Sequence, residues 1–117
     1  MAIINNNAVS DENRLRLFSP LFYIPRYNSS EALSFAYLYF GEEGKDPTLE
    51  ENRKKVYVLQ EDGSTISISQ PIRTSAGGVP EYNGSYASLA IDGAYSLAVL
   101  DSNMQQEYYF ASVTNPS

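Results

Sequence analysis

The catalytic idea that this sequence leaves open is a pair of carboxylates. The sequence holds no His and no Cys, which removes the Ser-His-Asp and Cys-His arrangements, the imidazole base and the common zinc ligand sets. What is left is a group of acids in one polar stretch: Glu42, Glu43, Asp46, Glu50 and Glu51. A pair of carboxylates flanking a glycosidic bond suffices for its hydrolysis, so a polysaccharide-degrading domain is one expectation. Calcium also takes carboxylate oxygens, but Glu42-Glu43-Gly44-Lys45-Asp46 lacks the alternating oxygen spacing of an EF-hand. Gly77-Gly78 has neither the Lys nor the helix of a phosphate loop and reads as a turn. The plainer expectation for loop acids is a solvated surface, and the sequence predicts no enzyme: no catalytic, cofactor-binding or metal-binding residue.

The elements around that loop read as strands. In residues 56–70, Val56 and Val58 alternate with Tyr57, while Ile66 and Ile68 alternate with Thr65, Ser67 and Ser69, the period of two that a half-buried strand requires. Asp62 and Gly63 lie between the arms, and Asp-Gly tolerates the positive φ of a primed hairpin turn. This predicts a hairpin with its Val and Ile buried and its Ser and Thr wet. Strand-like runs are expected at 33–40, 56–60 and 65–69, and a polar loop from 41 to 55. Pro71 ends the third run or marks a sheet edge. Beyond it, Gly78 and the pair Asn83-Gly84 punctuate the chain at turns, and apolar runs at 86–91 and 95–100 meet at Asp92-Gly93. Four or five more short strands follow, closing on Tyr108, Tyr109 and Phe110. Residues 1–30 differ: Ser10 is placed to cap a short helical turn over 10–16, and Pro20 and Pro25 force extended or turned backbone. The class is all-β, with turn signals every eight to twelve residues.

Composition narrows the functions. A chain of 117 residues is long enough for one domain with a modest core. Eight Lys plus Arg against 14 Asp plus Glu give a net charge of −6, which disfavours a grip on nucleic acid or on an anionic membrane. Ten Tyr with no Trp load the chain with rings that are apolar in body and polar at the tip, suited to strands and interfaces. The opening MAIINNNAVS has no basic start and no apolar core of a secretory signal, and runs such as AYLYF and LAVL are far too short to span a bilayer. A Tyr-rich β domain of this kind also fits a carbohydrate-binding module, in which sugars stack on exposed rings.

One constellation is more specific. Tyr37-Leu38-Tyr39-Phe40-Gly41, Asp46-Pro47, Asn52, Val56-Tyr57-Val58, Glu61-Asp62-Gly63-Ser64, Ile68, Gln70-Pro71, Ala76, Gly78, Tyr82-Asn83-Gly84, Ser96-Leu97-Ala98-Val99 and Asp101 together resemble the head-binding domain of podovirus tailspikes. The likeness runs over about 36–113. It implies a small β domain of two packed, mainly antiparallel sheets with an extended N-terminal arm, assembled as a dome-like homotrimer that fixes a spike or fibre to the phage tail at the capsid vertex. It implies an arm over 1–30, a β domain over 31–113, and at 114–117 the start of a linker to a trunk that binds or cleaves polysaccharide. It further implies docking to tail or portal-associated proteins, residence in the virion, and synthesis in the bacterial host cytoplasm. Phe18, Phe22, Tyr23 and Tyr27 are the candidate subunit-interface residues, as aromatics the core does not need.

Overall fold

The computed structural model describes residues 24–114. Within them the chain forms nine short strands: β1 (Tyr37–Glu42), β2 (Val56–Leu59), β3 (Thr65–Ile68), β4 (Ile72–Thr74), β5 (Pro80–Tyr82), β6 (Ser85–Tyr86), β7 (Leu89–Ala90), β8 (Tyr95–Leu100) and β9 (Gln106–Val113). They make a six-stranded sheet in the order β6-β5-β4-β1-β8-β9 and a three-stranded sheet in the order β3-β2-β7. Every strand pairing is antiparallel. The all-β, two-sheet architecture is the one expected.

The centre is β8, whose apolar run YSLAVL is buried at all six positions. Alternation sends Tyr95, Leu97 and Val99 to one face, where they join Leu38 and Phe40 of β1, Val56 and Val58 of β2, Leu89 of β7 and Ile72 of β4 in one core. The two sheets therefore share their packing. On the opposite face Ala98 and Leu100 meet Tyr39 and Tyr37 in a smaller cluster. Arg73 lies 3.9 Å over the Tyr37 ring and Arg53 lies 4.8 Å over the Tyr39 ring. Such stacking lets guanidinium groups cover aromatic surface that would otherwise face water.

Four local expectations change. The run expected at 33–40 becomes a strand only from Tyr37, because the Thr74 hydroxyl captures the Ala36 N–H at 2.7 Å and Phe35 turns through φ 55°. The Asp62-Gly63 turn is not a primed pair. Only Gly63 has positive φ (90°), its N–H reaches the Gln60 carbonyl at 3.0 Å, and the Asp62 carboxylate accepts the Ser64 N–H at 2.9 Å. This is an ordinary turn closed by a left-handed glycine, a three-residue hairpin connection. Ile66 is 38% exposed, since β3 is a sheet edge that overhangs the core. The run at 86–91 splits: β6 belongs to the larger sheet and β7 to the smaller, the chain crossing between them at the small residues Ala87 and Ser88.

Asn83 and Gly84 have φ of 52° and 80° and connect β5 to β6 in two residues. Positive φ at both positions is the signature of a type I′ turn.

Candidate functional site

The acidic loop was the one place the sequence offered chemistry, and Asp46, Asn52 and Arg53 within it brace the loop's own fold. Gly41 lets it lie flat on β1: a Cβ there would stand 2.7 Å from the Asn52 carbonyl oxygen and 2.8 Å from the Pro47 Cβ. The Asp46 carboxylate accepts from the Thr48 hydroxyl at 2.7 Å and the Thr48 N–H at 3.0 Å. Those bonds favour the ionised form and hold its pKa below the usual carboxylate value. Asn52 donates to the Asp46 carbonyl at 3.0 Å, and Arg53 donates to the carbonyls of Pro47 and Thr48 at 3.1 and 3.0 Å. Glu43 accepts from the Ser112 hydroxyl, which ties the loop to β9. Glu42, Glu50 and Glu51 are exposed. Among the described residues no group of three or more acids converges to hold a metal ion.

A hollow of about 360 Å³ adjoins this loop, lined in part by Arg53, Lys54, Lys55, Ser67 and Gln70. Two of its cations are committed, Arg53 as above and Lys54 to the carbonyls of Asp92 and Ala94. The Gln70 amide bridges the Phe40 N–H and the Lys54 carbonyl, at 2.6 Å each. These groups hold backbone in place.

The second concentration of side chains lies along β9, at one edge of the larger sheet. Three successive rings, Tyr108, Tyr109 and Phe110, necessarily point to both faces of a strand. Tyr108 and Phe110 stack at 6.0 Å between centroids, 14° apart, on one face. Tyr109 lies on the other and donates to the Lys45 carbonyl at 3.0 Å. The Tyr108 hydroxyl donates to the Pro25 carbonyl at 2.6 Å, its ring meets Tyr27 edge-on at 6.3 Å, and the Tyr27 N–H reaches the Glu107 carboxylate at 3.1 Å. Desolvation, then the nearby Glu107 and Tyr27, push the Tyr108 phenol above its ordinary pKa. Residues 24–33 are thereby fastened at two places, to β9 and to the β4–β5 turn. At the turn the Ile24 N–H meets the Gly78 carbonyl at 3.0 Å. Gly78 has φ 81°, and a Cβ on it would come within 2.9 Å of the Ile24 carbonyl oxygen.

Of the four candidate interface residues, Tyr27 is in this region and 66% exposed. Phe18, Phe22 and Tyr23 lie outside the described residues. Sequence reasoning missed Tyr109 and Phe110, which are 39% and 46% exposed. The signal was available, since consecutive rings in one strand cannot all face a core.

The fold and these groups define a structural β domain, whose polar side chains brace turns and loops around a two-sheet core. The chain belongs to the head binding family, whose sequence model matches residues 1–116. It is 40% identical over 83 residues to gp36, named as a tail fiber protein, of Acyrthosiphon pisum secondary endosymbiont phage 1, a match covering 71% of this chain and 24% of that protein. It is 39% identical over 95 residues to the tail spike protein of Shigella phage Sf6, covering 81% of this chain and 15% of the relative. The amylovoran biosynthesis protein AmsF of Erwinia amylovora is 33% identical over 78 residues, 67% of this chain and 10% of its own length. Among solved structures, WceF of Pantoea stewartii, described as a glycan biofilm modifying enzyme with a tailspike-like parallel β-helix fold, matches with a TM-score of 0.57 at 24% identity. That match covers 71% of this chain and 12% of WceF and shows a shared fold. The chain thus spans a quarter or less of the relatives it matches.

Proposed function

We propose that this chain is the adaptor by which a trimeric tail spike or tail fibre is attached to the phage tail, at the capsid vertex. The observation that supports this most directly is the head binding match over residues 1–116, on a fold whose polar groups serve its own backbone. In this reading the domain works by shape and self-association, and any receptor-binding or depolymerase activity resides in the part of such proteins that the match leaves uncovered. The docking partner is a tail or portal-associated protein, and the chain is made in the bacterial cytoplasm and ends in the virion.

The test is binding of the tagged chain to phage particles stripped of their spikes or fibres. Saturable co-sedimentation that intact spikes compete away is expected. No binding at concentrations well above those at which intact spikes attach would overturn the reading.

A carbohydrate-binding role draws on AmsF, named for amylovoran biosynthesis, and on the exposed rings of Tyr27 and Tyr86. It predicts glycan-array signals that fall when Tyr27 or Tyr86 becomes Ala, and it is rejected by a silent array.

A further inference from the structure

We propose that the free edge of β3, with the cationic hollow beside it, takes up an extended acidic segment of a docking protein as an added strand; the inference rests on the attachment read above and gives it a surface and a chemistry. The pairing register shows which backbone groups are on offer. The Gln60 N–H bonds to the Ser64 carbonyl, so alternation makes Val58–Ile66 and Val56–Ile68 the bonded pairs of β2 and β3. The Leu59 N–H agrees, since it bonds to the Ser88 carbonyl on the opposite side of β2. Thr65 and Ser67 therefore aim their N–H and C=O groups away from β2, at an edge with no further strand. Among the described residues no loop backbone bonds to them. β3 reads Thr-Ile-Ser-Ile, without the Lys, Pro or charge that ordinarily blunts an edge. The other sheet edges differ: β9 is tied to the acidic loop through the Ala111 carbonyl and the Ser112 hydroxyl, and β6 and β7 are two residues each.

The two faces of β3 define the occupant. On the wet face, one step past the pair Val56–Ile68, Lys55 stands opposite Ser69. Arg53, Lys54 and Lys55 line the hollow of about 360 Å³ beside Ser67 and Ser69, and Glu50 is the one carboxylate among its lining residues. Arg53 and Lys54 donate to carbonyl oxygens, which carry no formal charge, and Lys55 is exposed. In a chain of net charge −6, three cations thus meet at one strand edge, where they attract an acidic partner and turn away a basic one. On the core face Ile66 stays 38% exposed, apolar surface that side chains of an added strand would cover. The segment that fits alternates acidic and apolar residues, the first over the hollow and the second over Ile66. The outward groups of Thr65 and Ser67 pair with polypeptide backbone, which favours a protein segment over an acidic glycan.

The experiment uses the full chain with a short synthetic peptide alternating Glu and Val, and a counterpart alternating Lys and Val. Fluorescence anisotropy reads peptide binding, amide hydrogen exchange reads Thr65 and Ser67, and binding to spike-stripped particles is measured in parallel. The Glu peptide is expected to bind, more weakly as salt rises, and to protect both amides; the Lys peptide is expected not to bind. Lys55→Glu is expected to raise the dissociation constant about tenfold or more for peptide and particles alike. Ser67→Pro, which removes an outward N–H, is expected to do the same, and Lys45→Glu in the acidic loop is expected to change neither. Circular dichroism confirms the fold of each variant. Should Ser67→Pro fail to fold, protection of Thr65 and Ser67 in the wild type decides the matter. Equal binding of the two peptides overturns the proposal. So does Glu-peptide binding without protection of those amides, which would make the hollow a general anion patch. Particle binding that Lys55→Glu and Ser67→Pro leave intact also overturns it, while the attachment reading stands. A wild-type chain that binds the Glu peptide as expected but no particles supports the acceptor edge and overturns the attachment reading.

Discussion

Gln70 Oε1 accepts a hydrogen bond from the backbone N–H of Phe40 at 2.6 Å. β4 pairs with β1 only at Tyr37 and Leu38, so Phe40 has β8 on one side and no strand on the other. The Gln70 amide fills that position: its Nε2 donates to the Lys54 carbonyl at 2.6 Å, and the Lys54 N–H returns to the Phe40 carbonyl at 3.1 Å. A side chain following β3 of the smaller sheet thus completes the ladder of the larger one. Gln70→Leu removes both bonds and leaves a donor and an acceptor without their partner, at a cost of about 2–4 kcal/mol. Gln70→Glu keeps the acceptor and lies between the two. Urea unfolding of the three proteins checks the order; a Leu variant as stable as wild type would show that the ring contributes nothing.

Gly63 and Gly78 separate two reasons for a glycine. Both have positive φ, 90° and 81°, but around Gly63 there is open space, whereas a Cβ on Gly78 presses on the Ile24 carbonyl oxygen at 2.9 Å. Gly63→Val is expected to cost about 1–2 kcal/mol from backbone strain alone. Gly78→Val adds overpacking of about 1–3 kcal/mol, and it dislodges residues 24–33. Hydrogen exchange reads this directly: the amides of Ile24 and Leu33, bonded to the carbonyls of Gly78 and Ile24, lose protection in Gly78→Val and keep it in Gly63→Val. Equal protection in the two variants would refute the close-approach argument.

What could be read from the sequence was local. The period of two located β2 and β3, the apolar run located β8, and the all-β class followed from turn spacing. Long-range capture is invisible to such patterns. Nothing near Phe35 announces that Thr74, about forty residues on, will take the Ala36 N–H and delay β1 to Tyr37. Nothing in 86–91 marks Ala87 and Ser88 as the crossing between sheets. The edge position of β9 depends on the order β6-β5-β4-β1-β8-β9, a global property, so the exposure of Tyr109 and Phe110 was legible only as an excess of rings. The acidic loop misled in the other direction, because the bonds that occupy Asp46, Asn52 and Arg53 depend on how the loop folds over Gly41.

Thr74 makes a second test of buried side-chain to backbone bonding. Its hydroxyl accepts the Ala36 N–H at 2.7 Å and donates to the Leu33 carbonyl at 3.1 Å, and the residue is buried. Thr74→Val keeps the shape and removes both bonds, for an expected loss of about 2–4 kcal/mol. Thr74→Ser keeps the bonds and removes a methyl, for about 1 kcal/mol. Thermal melts that ranked Ser below Val would mean the methyl matters more than the hydroxyl.

Tyr95 is expected to make the fold less stable at alkaline pH. Its ring packs on Phe40, centroids 5.7 Å apart, and burial pushes the phenol up to about 12 from an ordinary value of 10.0. Desolvation penalises the phenolate, so the folded state holds its proton more tightly than the unfolded chain does. The contribution is fully present below pH 10. As pH rises further the unfolded chain ionises first, and stability falls by at most about 1.4 kcal/mol per pH unit until the folded phenol also ionises. Tyr95→Phe keeps the ring and removes the titration. Between pH 10 and 12 the midpoint of chemical unfolding is therefore expected to fall less steeply for Tyr95→Phe than for wild type, the two running parallel at neutral pH. Superimposable slopes across that window would mean that the Tyr95 phenol ionises as readily inside the fold as outside it.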